Sequence, residues 1–290
     1  MKLTEEFSRS EDLAAIKDWM KKQPHLPDEW DDVSLQSFLQ CCKFSLERTK
    51  RKLDMYFTVR AAFPEFFSDR DITRLELMDT MMMTQHPTMP GSTPDGKSLT
   101  IVRGIDKKIG TDCLKDVFKI IFMVCDVKLR EQTEESTGEI YILDASVVQP
   151  HHLGNLPLSI IKKFFICVQE GIPLRLAQVH LINVTPLVYT AYNILKPFLN
   201  DKIRQRIHFH KDCSSLQEYI PKNILPVDYG GTNCSIEESH KVWLQKLTEY
   251  RSWFKEQESL KANEALRPGK PKNFEQLYGL DGSFRQLAID

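Results

Sequence analysis

The chain has 290 residues, of which 41% are apolar and 27% charged, with a formal net charge of -1. Those are the proportions of an ordinary globular protein. The near-balance of charge excludes a global field that would draw the chain onto nucleic acid or membrane, so any such attraction must come from a local patch. Seven cysteines without a C-x-x-C pair point to reduced thiols in a cytosolic protein rather than a disulfide framework. No window approaches the ~20 apolar residues of a membrane span, and the first residues lack the apolar run of a signal peptide. The expected location is cytoplasmic, with peripheral membrane association at most.

Residues 10–22 (SEDLAAIKDWMKK) open with Ser10 as an N-cap and place Leu13, Ile16, Trp19 and Met20 on one helical face. The prolines of QPHLPDEWDD end that helix, and a second helical segment covers residues 34–40. A third carries Leu46, Leu53, Phe57 and Arg60 until Pro64 stops it. Within residues 43–52 five basic side chains face one acid, Glu47, which reads as the solvated face of a helical bundle before it reads as a binding patch. Residues 84–97 (TQHPTMPGSTPDGK) hold three prolines and two glycines and predict a linker. The helical N-terminal domain is therefore residues 1–83.

The next domain, residues 98–232, alternates strands and helices. Strands are expected over 99–105 (LTIVRGI), 138–145 (GEIYILDA), 174–184 (LRLAQVHLINV) and 206–209. Helices fall over 112–129, where Phe118, Ile121, Phe122 and Cys125 share a face, and over 156–169. This alternation predicts an α/β fold with a mainly parallel sheet. The most informative stretch is 183–210. After Pro186, suited to a first helical turn, the residues Leu187, Val188, Ala191, Ile194, Leu195, Phe198 and Leu199 recur as one apolar stripe. Pro197 should kink or stop the helix, and Lys202, Arg204 and Arg206 bring charge abruptly. The stripe reads either as a core-facing helix or as an apolar lid with a basic hinge. The tail, 233–290, begins with a helix whose Trp243, Leu247, Tyr250 and Phe254 form a seam.

Catalytic and metal signatures are sparse. There is no G-x-G-x-x-G, Walker loop or G-x-S-x-G elbow. His151 and His152 read as a surface loop, and His208, His210 and Cys213 lack an evident fourth zinc ligand. Asp144 ends a strand where α/β sites lie but has no paired base or nucleophile, so it reads as a cap or loop anchor. Ser159 and His180 lack the elbow of a hydrolase. Neither an enzyme nor a resident metal is expected.

The segments CKFSLERTKRKLD, YFTVR, FPEFF, GEIYILDAS, QEGIPLRLAQVHLINV, LKPFLNDKIRQRIHFH and LQEYIPKNILPVDYGG occur in this order. In that order they resemble the CRAL-TRIO family, in its animal branch of tocopherol-transfer and retinaldehyde-binding proteins and its insect-type members, over roughly residues 10–232. The resemblance implies a small all-helical N-terminal domain before an α/β lipid-binding domain with a mobile gating helix at about 183–206. No cofactor is implied beyond one bound hydrophobic small molecule. By position, the ligand-binding residues would be Phe118, Ile121, Cys125, Phe164, Cys167, Ile172, Leu174 and Val179, with Leu187, Ala191 and Ile194 from the gate. Leu195, Phe198 and Leu199 would contact the membrane when the gate opens. Basic residues beside the gate bind phosphoinositide headgroups in proteins resembling the tocopherol transfer protein, and three of those positions are basic here: Arg175, Lys202 and Arg206. Two family arginines fall on Ala177 and Cys42, with Lys43, Arg48 and Arg204 as candidates to replace them. The implied function is a monomeric cytosolic carrier that takes a retinoid, tocopherol, carotenoid or terpenoid between membranes, with transient contact to anionic lipid and no nucleic-acid partner. The competing reading is a lipid- or phosphoinositide-sensing module that signals through a protein partner, using an exposed part of the Trp243–Phe254 seam.

Overall fold

The computed structural model describes residues 2–107, 109–131, 136–173 and 175–272, with the backbone alone over 2–8. In chain order the helices and strands are α1 (Lys2–Lys21), α2 (Asp32–Cys41), α3 (Leu46–Ala62), the single turn α4 (Pro64–Phe67), α5 (Leu75–Met83), β1 (Thr84–Gln85) and β2 (Lys97–Gly104). These are followed by α6 (Leu114–Arg130), β3 (Gly138–Asp144), the short α7 (Pro150–Gly154), α8 (Leu158–Ile166) and β4 (Leu176–Ile182). The chain continues through α9 (Pro186–Leu195), α10 (Asp201–Arg204), β5 (Ile207–Phe209), α11 (Ile236–Glu249) and α12 (Arg251–Gln257). Two compact units result. One comprises Met1–Pro64, Leu158–Pro173 and Ser259–Asp290, the other Glu65–Pro157 and Leu174–Glu258.

The first unit has an aromatic centre. Trp30 meets Phe38 and Phe57 edge-on at 5.3 and 5.2 Å, and Tyr56 meets Phe38 at 4.9 Å. Contrary to the Ser10 N-cap, α1 starts at Lys2; the upstream glutamates and arginine are good helix formers and carry the helix through the serine. The helix expected over 156–169 gives way after Ile166 to a π-helical turn, Cys167–Gly171. That turn lies against α3, where a Cβ on Gly171 would come within 2.6 Å of Val59. Lys52 donates to the carbonyls of Gln169 (3.2 Å) and Glu170 (2.8 Å), so one member of the basic run on α3 is a structural clasp. The last described residues return to α3. Ala262 N donates to Phe57 O at 3.0 Å, and Asp54 accepts from Lys272 at 2.6 Å and Arg267 at 2.8 Å.

The second unit is built on a five-stranded sheet in the order β1-β2-β3-β4-β5, with β1 antiparallel to β2 and the other pairs parallel. The stretch expected as a linker folds back along β2. Met89 N donates to Leu99 O at 2.8 Å, Ile101 N to Pro87 O at 2.9 Å, and Thr88 bridges Thr100. Its prolines cost little, because an edge segment has one side without ladder partners. The tail seam is buried, with Trp243, Leu247 and Phe254 joining Ile72, Leu77, Met81, Ile120, Met123, Val124 and Val127 in one cluster. Beside it Arg70 donates to Asp126 at 2.6 Å, with both side chains almost fully enclosed.

Candidate functional site

A pleated strand shows alternate side chains to opposite faces, and the parallel register sorts them here. Leu99 stands opposite Ile140, Ile101 opposite Ile142, and Ile182 on β4 shares their face. These five are 0–1% exposed, sealed by Leu216, Ile220, Ile224, Leu225, Tyr229 and Ile236 of the segment after β5. The opposite face carries Val102, Tyr141, Leu143, Val179, Leu181, Ile207 and Phe209. Tyr141 and Val179 are buried, but Val102, Leu143, Leu181, Ile207 and Phe209 are only half-buried.

Helices lie on that second face. From α6, the Cys125 thiol stands 3.5 Å from the Tyr141 hydroxyl, on the helical face that also carries the half-buried Phe118 and Ile121. From α9, Tyr189 stacks on Phe209 at 5.0 Å and Tyr192 meets it edge-on at 4.9 Å. Toward the strand starts the face turns polar. Lys128 is ion-paired with Glu139 and donates to Ser98 Oγ at 3.0 Å and Thr100 Oγ1 at 2.9 Å. The site is thus an apolar floor with one polar end. It can hold a hydrophobic molecule by burial alone.

The gating stretch is a broken helix. After α9 comes a 3-10 turn, Lys196–Phe198, containing Pro197, then α10 with Asn200 as its cap. The break shifts the helical phase, so one stripe does not run from Leu187 to Leu199. Leu187, Ala191, Leu195 and Phe198 are half-buried. Ile194, expected among the ligand positions, is 38% exposed, whereas Leu199, expected to reach the membrane when the gate opens, is 8% exposed with the gate in this position. Lys202 and Arg206 do not share a helical face, because α10 ends at Arg204. Lys202 is exposed, Arg204 pairs with Asp201, and Arg206 donates to the Leu176 carbonyl, next in sequence to the half-buried Arg175.

The remaining expected ligand positions divide between the units. Phe118, Ile121, Cys125, Val179 and the gate residues belong to the second; Phe164, Cys167 and Ile172 belong to the first, where the last two are buried. Leu174 lies outside the described residues. Tyr141, Leu143, Leu181, Phe209 and Tyr192 went unnamed in the sequence. The period-two alternation in YIL and HLI was the available signal, but only the parallel register identifies the shared face.

Two polar nodes flank the gate. Asp144 is a loop anchor, as its position predicts: Oδ1 accepts from Asn183 Nδ2 at 2.7 Å and Ser146 N at 2.9 Å, and Oδ2 accepts from Tyr229 OH at 2.8 Å. Burial and then the Asp144 charge push the Tyr229 phenol well up. The second node is a chain of imidazoles. His180 Nε2 meets Gln178 Oε1 at 3.3 Å, His180 Nδ1 meets His210 Nε2 at 2.9 Å, and His210 Nδ1 meets Ser215 Oγ at 2.6 Å. Both nitrogens of His210 are therefore engaged, and His208 stacks on His180 at 5.0 Å. Burial first, then the neighbouring imidazoles, hold the His180 pKa down to about 3. His151 and His152 sit in α7 rather than in a loop, and His152 meets the Ile109 carbonyl at 2.7 Å.

Residues 82–231 match the family model described as the CRAL/TRIO domain, and residues 5–77 match the model described as Pinta-like, UBA domain. The chain belongs to the CRAL/TRIO family, a family of lipid-binding and lipid-transfer proteins. It is 28% identical over 228 residues to the alpha-tocopherol transfer protein-like protein of Mus musculus, covering 77% of this chain and 65% of that protein. The Homo sapiens protein of the same name is also 28% identical, with 77% and 66% covered. Clavesin-1 of Xenopus laevis is 25% identical over 224 residues, with 77% and 68% covered. The chain thus spans slightly under two thirds of the length of the mouse and human relatives. Among solved structures, the crystal structure of Sfh5 shares the fold with a TM-score of 0.53 at 13% identity, covering 83% of this chain and 98% of that one. Among the described residues no helix is long and apolar enough to cross a membrane.

Proposed function

We propose that the chain is a cytoplasmic carrier that binds one small hydrophobic lipid of retinoid, tocopherol, carotenoid or terpenoid type and transfers it between membranes. The observation that carries this reading is the asymmetry of the sheet: on one face Leu99, Ile101, Ile140, Ile142 and Ile182 are enclosed, whereas on the other, against α6 and α9, Val102, Leu143, Leu181, Ile207 and Phe209 stay half-buried. Full burial of a large aliphatic side chain contributes about 1.5–3 kcal/mol. Five such side chains left half-buried therefore forgo roughly 4–8 kcal/mol, which an apolar occupant returns. That sum is most of what a ligand of ~30 heavy atoms gains at ~0.3 kcal/mol per atom, with a dissociation constant near 1 μM. The occupant is the only bound group the reading requires, and the protein acts without turnover, as a monomer. Phe118, Ile121, Cys125, Val179, Leu187 and Ala191, all of the second unit, line the ligand in this reading.

Release requires the gate to swing away. Tyr189 and Ile194 are exposed on α9 already, and opening adds Leu195, Phe198 and Leu199, a surface that water penalises and a bilayer accepts. Arg175, Lys202 and Arg206 supply the contact to anionic or phosphoinositide lipid. The regulatory alternative would use the Trp243–Phe254 seam, in which Trp243, Leu247 and Phe254 are buried and Tyr250 is half-buried. The test is native mass spectrometry of the purified chain, with organic extraction, followed by transfer of a fluorescent retinoid between vesicles. A stoichiometric lipophile and protein-dependent transfer support the carrier; uptake without transfer points instead to the sensing module.

A further inference from the structure

Tyr141 is the anomaly of the apolar floor. Phenylalanine would fill the same space, whereas a buried hydroxyl needs a partner. Among the described residues the hydroxyl meets only the Cys125 thiol, at 3.5 Å, and a thiol is a weak acceptor and a weak donor. Both residues are buried, Tyr141 at 8% and Cys125 at 7%. Polarity is graded along the floor. Thr100 stands opposite Tyr141 in the register, and its hydroxyl receives Lys128. In the other direction, toward the strand ends, come Leu143, Leu181 and Phe209, the last in contact with both Tyr189 and Tyr192 of α9.

Resting on the carrier reading, we infer that Tyr141 is the polar anchor of the bound lipophile. Its hydroxyl donates to a single ligand oxygen, an alcohol or carbonyl at one end of the molecule. The oxygen end then lies toward Thr100 and Lys128, and the hydrocarbon runs toward Leu181 and Phe209 beneath the gate. The ligand class is accordingly a mono-oxygenated lipophile rather than a pure hydrocarbon. A terminal carboxylate fits less well, because its charge would be desolvated against one neutral donor and a lysine already paired with Glu139.

The experiment compares probes that differ by one oxygen: retinol with axerophthene, the corresponding hydrocarbon, by fluorescence titration, and phytol with phytane by displacement. The wild-type chain should prefer the oxygenated member of a pair by about tenfold, the scale of one well-made buried hydrogen bond. Tyr141→Phe should lose most of that preference while binding the hydrocarbon within about twofold of wild type, a margin well inside the scale of one hydrogen bond. Equal wild-type affinity for both members, or an undiminished preference in Tyr141→Phe, overturns the anchor and leaves the carrier reading standing. Failure of the wild-type chain to take up any of the four probes overturns the carrier reading itself. Should the variant not fold, equal wild-type affinity for both members of a pair still overturns the anchor.

Discussion

Asn183 donates from its side chain to Asp144 Oδ1 at 2.7 Å while holding a left-handed backbone, with φ 57°. The pair joins the end of β3 to the residue where β4 gives way to the gate, three positions before Pro186. An asparagine tolerates that conformation better than most residues. Asn183→Ala should lower stability by about 2–3 kcal/mol, combining the lost hydrogen bond with a strained backbone. Asn183→Gly, which keeps the backbone relaxed, should lose about 1 kcal/mol less. Urea denaturation of the two variants separates the terms; equal losses would mean that the backbone is not under strain.

Arg70 and Asp126 form an enclosed ion pair in the second unit, at 0% and 2% side-chain exposure. Removing one partner takes the hydrogen-bonded counter-charge from a buried group. Asp126→Ala is expected to cost about 3–5 kcal/mol, read as a fall in thermal midpoint. Lys246→Ala, which breaks a more exposed pair with Glu131, should cost no more than about 1 kcal/mol.

Acid should unfold the second unit early. His86 and His180 are held neutral, their pKa values pressed down to about 3 chiefly by burial, and His210 and His240 are lowered in the same sense. The groups facing them are His208, Asp212 and Glu218 on one side, and Glu237 and Arg103 on the other. Between pH 6.5 and 3 the unfolded chain binds protons that the folded chain refuses. Stability is therefore flat above pH 6.5 and falls below it, by up to about 1.4 kcal/mol per pH unit for each such imidazole. His180→Asn should flatten that slope in a series of thermal melts from pH 7.5 to 4.5; an unchanged slope would show that His180 does not contribute.

The gate and its charges are separable. Phe198→Asp should slow vesicle-to-vesicle transfer severalfold while leaving ligand affinity within about twofold, because the cost falls on the open, membrane-facing state. Lys202→Ala should weaken binding to anionic vesicles by about fivefold at low salt, the worth of ~1 kcal/mol per basic residue, with no loss of stability. Arg206→Ala should do both, since its guanidinium also ties β5 to the Leu176 carbonyl. Co-sedimentation beside a thermal melt distinguishes the two.

Much of the fold was legible in sequence because strands and helices alternated with clear periods, and GEIYILDA and LRLAQVHLINV fall on β3 and β4 to within a residue or two. The seam through Trp243, Leu247 and Phe254 was legible for the same reason. Residues 84–97 misled because proline and glycine report turns, not detachment. In the gate, Pro197 announced the break, but the phase between Ile194 and Leu199 depends on the 3-10 turn that contains it and could not be read from periodicity. Tyr141 could not be singled out, since its importance depends on register: which strand lies beside it, and which helix brings Cys125 to its hydroxyl.

The assembly of the first unit from three separated segments has a consequence for biosynthesis. Asp54 and Lys272 are 218 residues apart, and translation proceeds at about 5–20 residues per second. Helix α3 therefore leaves the ribosome roughly ten to forty seconds before the residues that clasp its carboxylate. Val59 lacks the turn Cys167–Gly171 for about the first half of that interval, and Phe57 lacks Ala262 until nearly its end. The first unit is therefore completed only after the whole sheet of the second has been made.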